Sequence, residues 1–313
     1  MKFKTYIALV LFLLMGQPAQ SCINEYRALL NGDVTFTDGF NAAPVARFDK
    51  SNKKHLLQQL DEAEKRYQKS RTIEDYSDYG SMLIYTGNYL KAKSIYLEIE
   101  KKSPGRYQTA ANLGTSYELL GQNDSALYWI KKAVKIFPNS HNGSEWIHVK
   151  ILEAKVKANG DENYLWTHSI LSLDFGNEEI PKNKNKLNLI QLQNQLYFQL
   201  RERMSFIKPK DPVIAQLLFD LGNVTALTSD ATSGLQVYRV AQEYGYSSEL
   251  FTKRKEHFED LQFWADFRNN TSQWMSDHKR LTVLIAVLVF ISGILVIRFL
   301  YKRIRKMVYK KRN

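Results

Sequence analysis

Two stretches of this chain superimpose at an offset of 34 residues. Gly80 recurs as Gly114, Gly87 as Gly121, Ala92 as Ala126 and Pro104 as Pro138. Between them Tyr79 answers Leu113, Leu83 answers Tyr117 and Tyr96 answers Ile130. A repeat of that length is a helix–turn–helix unit, with small residues where paired helices approach and large ones filling the gaps. One unit cannot bury its apolar face alone, so units stack and leave a concave surface open to a partner. The period predicts an all-α helical-hairpin solenoid that holds something rather than transforms it.

The rest of the chain is read around that frame. Residues 22–50 form an irregular leading segment, in which only Asp33–Thr37 alternates like a strand. Ser51 caps a first helix, with Leu56, Leu57, Leu60, Ala63 and Tyr67 at helical spacing. Repeats and flanking helices occupy residues 51–158, with turns at Thr86-Gly87-Asn88 and Gly121-Gln122-Asn123. Pro104 and Pro138 end the second helix of each repeat, because proline cannot continue one. Gly143–Ala158 reads as the first helix of a third unit whose partner does not arrive on schedule. Residues 159–212 hold an irregular linker, with a solvated Lys182–Lys186 run, and a long helix over Leu187–Met204. Residues 213–279 carry a degenerate repeat, about Ala215–Ser248, in which Leu221-Gly222 echoes Leu113-Gly114, and then membrane-proximal helices.

The two ends address the membrane. Lys2 and Lys4 precede an apolar run, Tyr6–Met15, and Ala19-Gln20-Ser21 offers small residues for cleavage, so residues 1–21 read as a signal peptide. Cleavage there leaves Cys22 first. As the single cysteine it excludes an intrachain disulfide, and its place marks it as a candidate lipid acceptor, the alternative being an ordinary unpaired residue. Near the other end Leu281–Ile297 is unbroken and uncharged, and residues 280–301 read as a transmembrane helix, with Trp274 near its interface. The basic residues crowding 302–313 stay cytoplasmic, which leaves the body outside. They also explain a formal charge of +12: without the tail, Arg298 and the two leading lysines, about +2 remains. The basic balance is therefore topological, and nucleic acid is not an expected partner.

No catalytic chemistry stands out. The six histidines are scattered, and His141 with His148 lacks a zinc-helix spacing, so solvated or capping roles are expected and no metal site. No nucleophile elbow, phosphate loop or dinucleotide fingerprint is present, so no cofactor is expected. Glu145 and His148, three apart on one helical face, read as a surface contact rather than an acid–base pair.

The matches at Gly80, Ala92, Tyr96, Pro104 and at Gly114, Tyr117, Ala126, Ala133, Pro138 make roughly 100 residues resemble the tetratricopeptide repeat superfamily. The whole layout resembles membrane-anchored repeat proteins of Bacteroidetes-type bacteria. The resemblance implies that the first helix of each repeat lines the groove. The partner-binding residues would then be Glu74, Ser77, Ser81 and Tyr85, followed by Gln108, Ala111, Thr115 and Glu118. It also offers a clamp for a peptide carboxylate. Asn112 matches one clamp position, but Ser77 and Ser81 stand where a lysine and an asparagine are needed, so the clamp is broken. The expected function is a non-catalytic protein–protein interaction scaffold, single-pass in the inner membrane of a bacterial envelope, with a protein or peptide partner. The alternatives are a sensor relaying binding through the membrane helix to a cytoplasmic partner, and an enzyme with a site in 159–212.

Overall fold

The computed structural model of the chain describes residues 25–32, 34–37 and 53–310. The expected signal peptide, Cys22, most of the leading segment, Ser51 and the last three residues lie outside them. The chain divides into two compact units, one ending at Gln262 and one beginning at Phe263.

The first unit opens where the sequence alternates like a strand. The alternating Val34–Thr37 segment (β2) pairs antiparallel with Glu25–Ala28 (β1), Tyr26 opposite Phe36. Helices follow: α1 (Lys53–Ser70), α2 (Ile73–Tyr85), α3 (Tyr89–Lys102), α4 (Tyr107–Leu119), α5 (Asn123–Ile136) and α6 (Glu145–Ala158). Each packs on its neighbours in the chain, as a stack of antiparallel hairpins requires.

The 34-residue period is physical at each joint. A Cβ on Gly80 would lie 2.8 Å from the Tyr96 ring, and one on Gly114 would overlap Ile130. Both pairs are 16 residues apart, so hydrogen at the glycine and bulk on the second helix are one packing device used twice. The turns repeat as well. Gly87 and Gly121 have φ of +86° and +72°, and the next residue donates back five positions, Asn88 to Leu83 O and Gln122 to Tyr117 O. Ala63, Tyr79, Leu83, Ile84, Ala92, Ile95, Tyr96, Ile99 and Leu113 form the first core cluster, and Ala126, Ile130 and Leu152 a second.

After α6 the register breaks. Asn159 and Gly160 both take positive φ, and a short helix α7 (Glu162–Thr167) leads into an irregular stretch. Helix α8 (Leu189–Phe206) packs on α9 (Pro212–Thr228), and α9 packs on α10 (Ala231–Glu243). The α9/α10 hairpin uses the same device: a Cβ on Gly222 would overlap Tyr238, again 16 residues on. Asp211 and Asp230 cap α9 and α10 at the Ile214 and Ser233 amides, each cap contributing about 1 kcal/mol. All three repeats lie in this one unit. Helix α11 (Glu249–Asp277) buries Phe251, Arg254 and Phe258 in it.

The second unit holds the C-terminal part of α11 and helix α12 (Lys279–Lys310). Lys279–Lys302 is long and apolar enough to cross a membrane, and its large apolar side chains among the described ones are exposed.

Candidate functional site

The residues implied to line the groove divide. Ser81, Tyr85, Ala111, Thr115 and Glu118 line a cavity of about 310 Å³. Its opposite wall comes from Phe198, Gln199, Glu202 and Arg203 of α8, so the chain's own long helix closes one side of the concave surface. Glu74, Ser77 and Gln108 do not line it. Glu74 is exposed and paired with Arg106 at 3.0 Å. The Ser77 carbonyl accepts from Tyr96 Oη at 2.7 Å, and Gln108 is exposed.

Asn112 is internally engaged. Its Nδ2 donates to Tyr96 Oη at 2.8 Å and Ser81 Oγ at 3.3 Å. Burial pushes the Tyr96 hydroxyl up to about 12, so it stays protonated and bonded throughout the physiological range. The one clamp-like residue is thus spent on joining α2, α3 and α4.

Glu118 is not a free contact residue. Its side chain is 7% exposed and meets three basic groups: Lys155 Nζ at 2.7 Å, His148 Nε2 at 2.7 Å and Arg203 Nη1 at 2.8 Å. Burial by itself would push this carboxyl up, but Arg203, Lys155 and His148 together hold it well below the usual range. Glu145 repeats the pattern. Burial opposes its charge, while the hydrogen bond with His141 and the His148 ring 3.5 Å away bring it to about 2. His141 Nδ1 lies 2.5 Å from Glu145 Oε1, and its ring stacks on Phe198 at 4.6 Å. The pairing of Glu145 with His148 is therefore a buried contact, not the surface one expected, and His148 is neither solvated nor a cap. The cluster fixes four elements to one another: α4 through Glu118, the turn before α6 through His141, α6 through Glu145, His148 and Lys155, and α8 through Arg203. Sequence reasoning missed it because its members span 85 residues. The readable sign was the coincidence of Glu118, on a groove-facing helix, with three basic residues on apolar helices.

A second cavity, of about 320 Å³, lies in the irregular stretch, between Trp166–Asn177 and residues Gln216, Asp220, Tyr246 and Arg254. Gln216 ties the stretch to α9, accepting from Ile170 N at 3.1 Å and donating to the Leu165 and His168 carbonyls. Arg254, 1% exposed, donates to the carbonyls of Phe175, Gly176 and Glu178 and to Asn223 Oδ1. Asp220 makes no hydrogen bond or ion pair among the described residues. Burial pushes its carboxyl up to about 8, with Arg254 pulling the other way. Part of this cavity's lining, Trp166 to Asn177, falls within 159–212, and the rest comes from α9, Tyr246 and α11. Among the described residues no group of three or more His, Cys, Asp or Glu side chains is arranged to hold a metal ion.

No family model and no curated protein matches the chain. Among solved structures it is similar to a tetratricopeptide repeat protein from Parabacteroides merdae ATCC 43184, at 12% identity and a TM-score of 0.32. That match covers 66% of this chain and 93% of the other. The fold is carried by the three glycine-pinned helical hairpins described above, with the long helix α8 forming one wall of the cavity beside α2 and α4.

Proposed function

We propose that the chain is a membrane-anchored, non-catalytic scaffold that captures a protein or peptide segment on the concave side of its repeats. The observation that carries this is the cavity of about 310 Å³ between α2, α4 and α8. Its apolar walls, among them Ile84, Tyr85, Leu119, Phe198 and Ile207, can bury side chains of a partner, and the fixed charges around Glu118 hold its shape. Helix α12 spans the inner membrane of a bacterial envelope, the body is extracytoplasmic, and the basic C-terminal residues stay inside. A photo-crosslinking residue at Thr115 of the full-length protein in cells tests the site, with exposed Tyr128 on α5 as control. A discrete protein adduct at 115, absent at 128 and lost when Ile84→Trp fills the cavity, supports the scaffold. Equal or no adducts at both positions overturn it. A periplasm-active reporter fused after Asn313 should be silent, and activity there would reverse the orientation.

The cavity beside Asp220 favours a second reading, a small-ligand or enzymatic site in the stretch after α7. A thermal-shift screen of metabolites against wild type and Asp220→Asn separates the two. A ligand that stabilises wild type alone, with no adduct at Thr115, would displace the scaffold reading.

A further inference from the structure

Between the body and the membrane span the chain leaves an aromatic face uncovered. Phe263, Trp264 and Phe267 are 60%, 55% and 52% exposed, and Trp274 and Met275 follow at 41% and 44%. At 100° per residue these five, with Thr271 and His278, occupy one side of the helix. Asp266, Asn269, Asn270, Gln273, Ser276 and Asp277 occupy the other. The pattern is a heptad. Phe267, Trp274, Leu281, Leu288 and Leu295 are spaced by seven; Trp264, Thr271, His278, Ile285 and Ser292 form a second row three residues before them, which Phe299 continues. A seven-residue repeat winds helices about one another in a left-handed coil, with both rows in the seam.

The seam runs without interruption from water into the membrane segment. Helical hydrogen bonding carries across the junction of α11 and α12, His278 N to Trp274 O and Thr282 N to His278 O, both at 2.9 Å. Lipid does not reach the upper part of the face. At about 1.5 Å per residue, Phe267 stands about 21 Å before Leu281 along the helix, beyond a headgroup layer of about 5–8 Å. The same side chains are half exposed in the single chain. A covering partner must therefore be a helix that follows the heptad both outside the membrane and through it. A second copy of this chain, inserted in the same direction, meets that requirement residue for residue, and common insertion makes the pairing parallel.

We propose that the chain forms a parallel homodimer through the seam Trp264–Phe299. The proposal rests on α12 being a membrane span, and the test separates the two. Cys22 is the single cysteine, so a Cys22→Ser background allows one cysteine at a time at 267, 274 and 281 (seam) and at 269, 273 and 276 (opposite face), in full-length protein in native membranes. Oxidative crosslinking should give a disulfide-linked dimer several-fold stronger at the seam positions than at the others. Carbonate extraction of the same membranes reports whether the chain is integral. An integral protein with no dimer band, a flat profile, or adducts of another mass overturns the dimer while leaving the anchor standing. Release by carbonate overturns the anchor and the dimer with it. Adding Phe267→Ala and Trp274→Ala to the Leu281→Cys protein should lower its dimer band several-fold, and an unchanged band also counts against the seam.

Discussion

Replacing Glu118 by glutamine keeps the shape of the side chain and removes its charge, leaving Arg203, Lys155 and His148 converging on a neutral group in a buried place. The gross attraction lost is large: at an effective dielectric of 20, a cation 2.8 Å away is worth about 6 kcal/mol. Most of that offsets the cost of taking the carboxylate out of water, several kcal/mol per ion. The net effect of removing one partner from such a buried set is about 3–5 kcal/mol. That magnitude applies because the partners are themselves covered, Arg203 and His148 at 8% and 9% exposure and Lys155 at 17%. The assay is denaturant unfolding of the full-length protein in detergent, followed by tryptophan fluorescence. The stability of wild type should also fall on acidification. Glu118 has a depressed folded-state pKa, so its contribution is complete above the unfolded value of about 4.3 and is lost as pH drops through the folded value. The gap between wild type and Glu118→Gln should therefore close below about pH 4. Adding Arg203→Met to Glu118→Gln should cost much less than Arg203→Met alone, because the partner is already gone. If Glu118→Gln costs under about 0.5 kcal/mol, as a surface change does, or if the two substitutions add, the cluster does not join α4 to α8 and the cavity's wall is not fixed as described.

Three further substitutions check other parts of the structure. Gly222→Ala forces a methyl into Tyr238, a fully buried ring in a tight helix pair, and should destabilise by about 1–3 kcal/mol in the same unfolding assay. Gly87→Ala meets no neighbour and should show only the milder cost of its φ of +86°. Asp220→Asn should stabilise the protein increasingly as pH rises. With its folded pKa raised to about 8, Asp220 makes wild type lose stability between the unfolded value of about 3.9 and pH 8, and the amide removes that loss. Parallel pH–stability curves for the two proteins would refute the burial of its carboxyl.

Whatever is local or periodic in this fold can be read along the chain. The spacing of Gly80, Gly114 and Gly222 from Tyr96, Ile130 and Tyr238 is a distance along the chain, and it specified the hairpins, their turns and the place where the third repeat fails. The apolar run of α12 was equally legible, because crossing a membrane depends on length and composition. Even the short strand at Val34–Thr37 left its alternation in the sequence, although its partner, Glu25–Ala28, did not announce itself. What the cavity beside α2 and α4 contains follows instead from long-range packing. Arg203 lies 85 residues from Glu118 and Arg254 lies 76 residues from Glu178, and no pattern on one helix carries such pairings. Repeat position alone offered Glu118 to a partner. Folding α8 across the groove gives it to Arg203 instead, because a carboxylate removed from water must find its countercharge within reach.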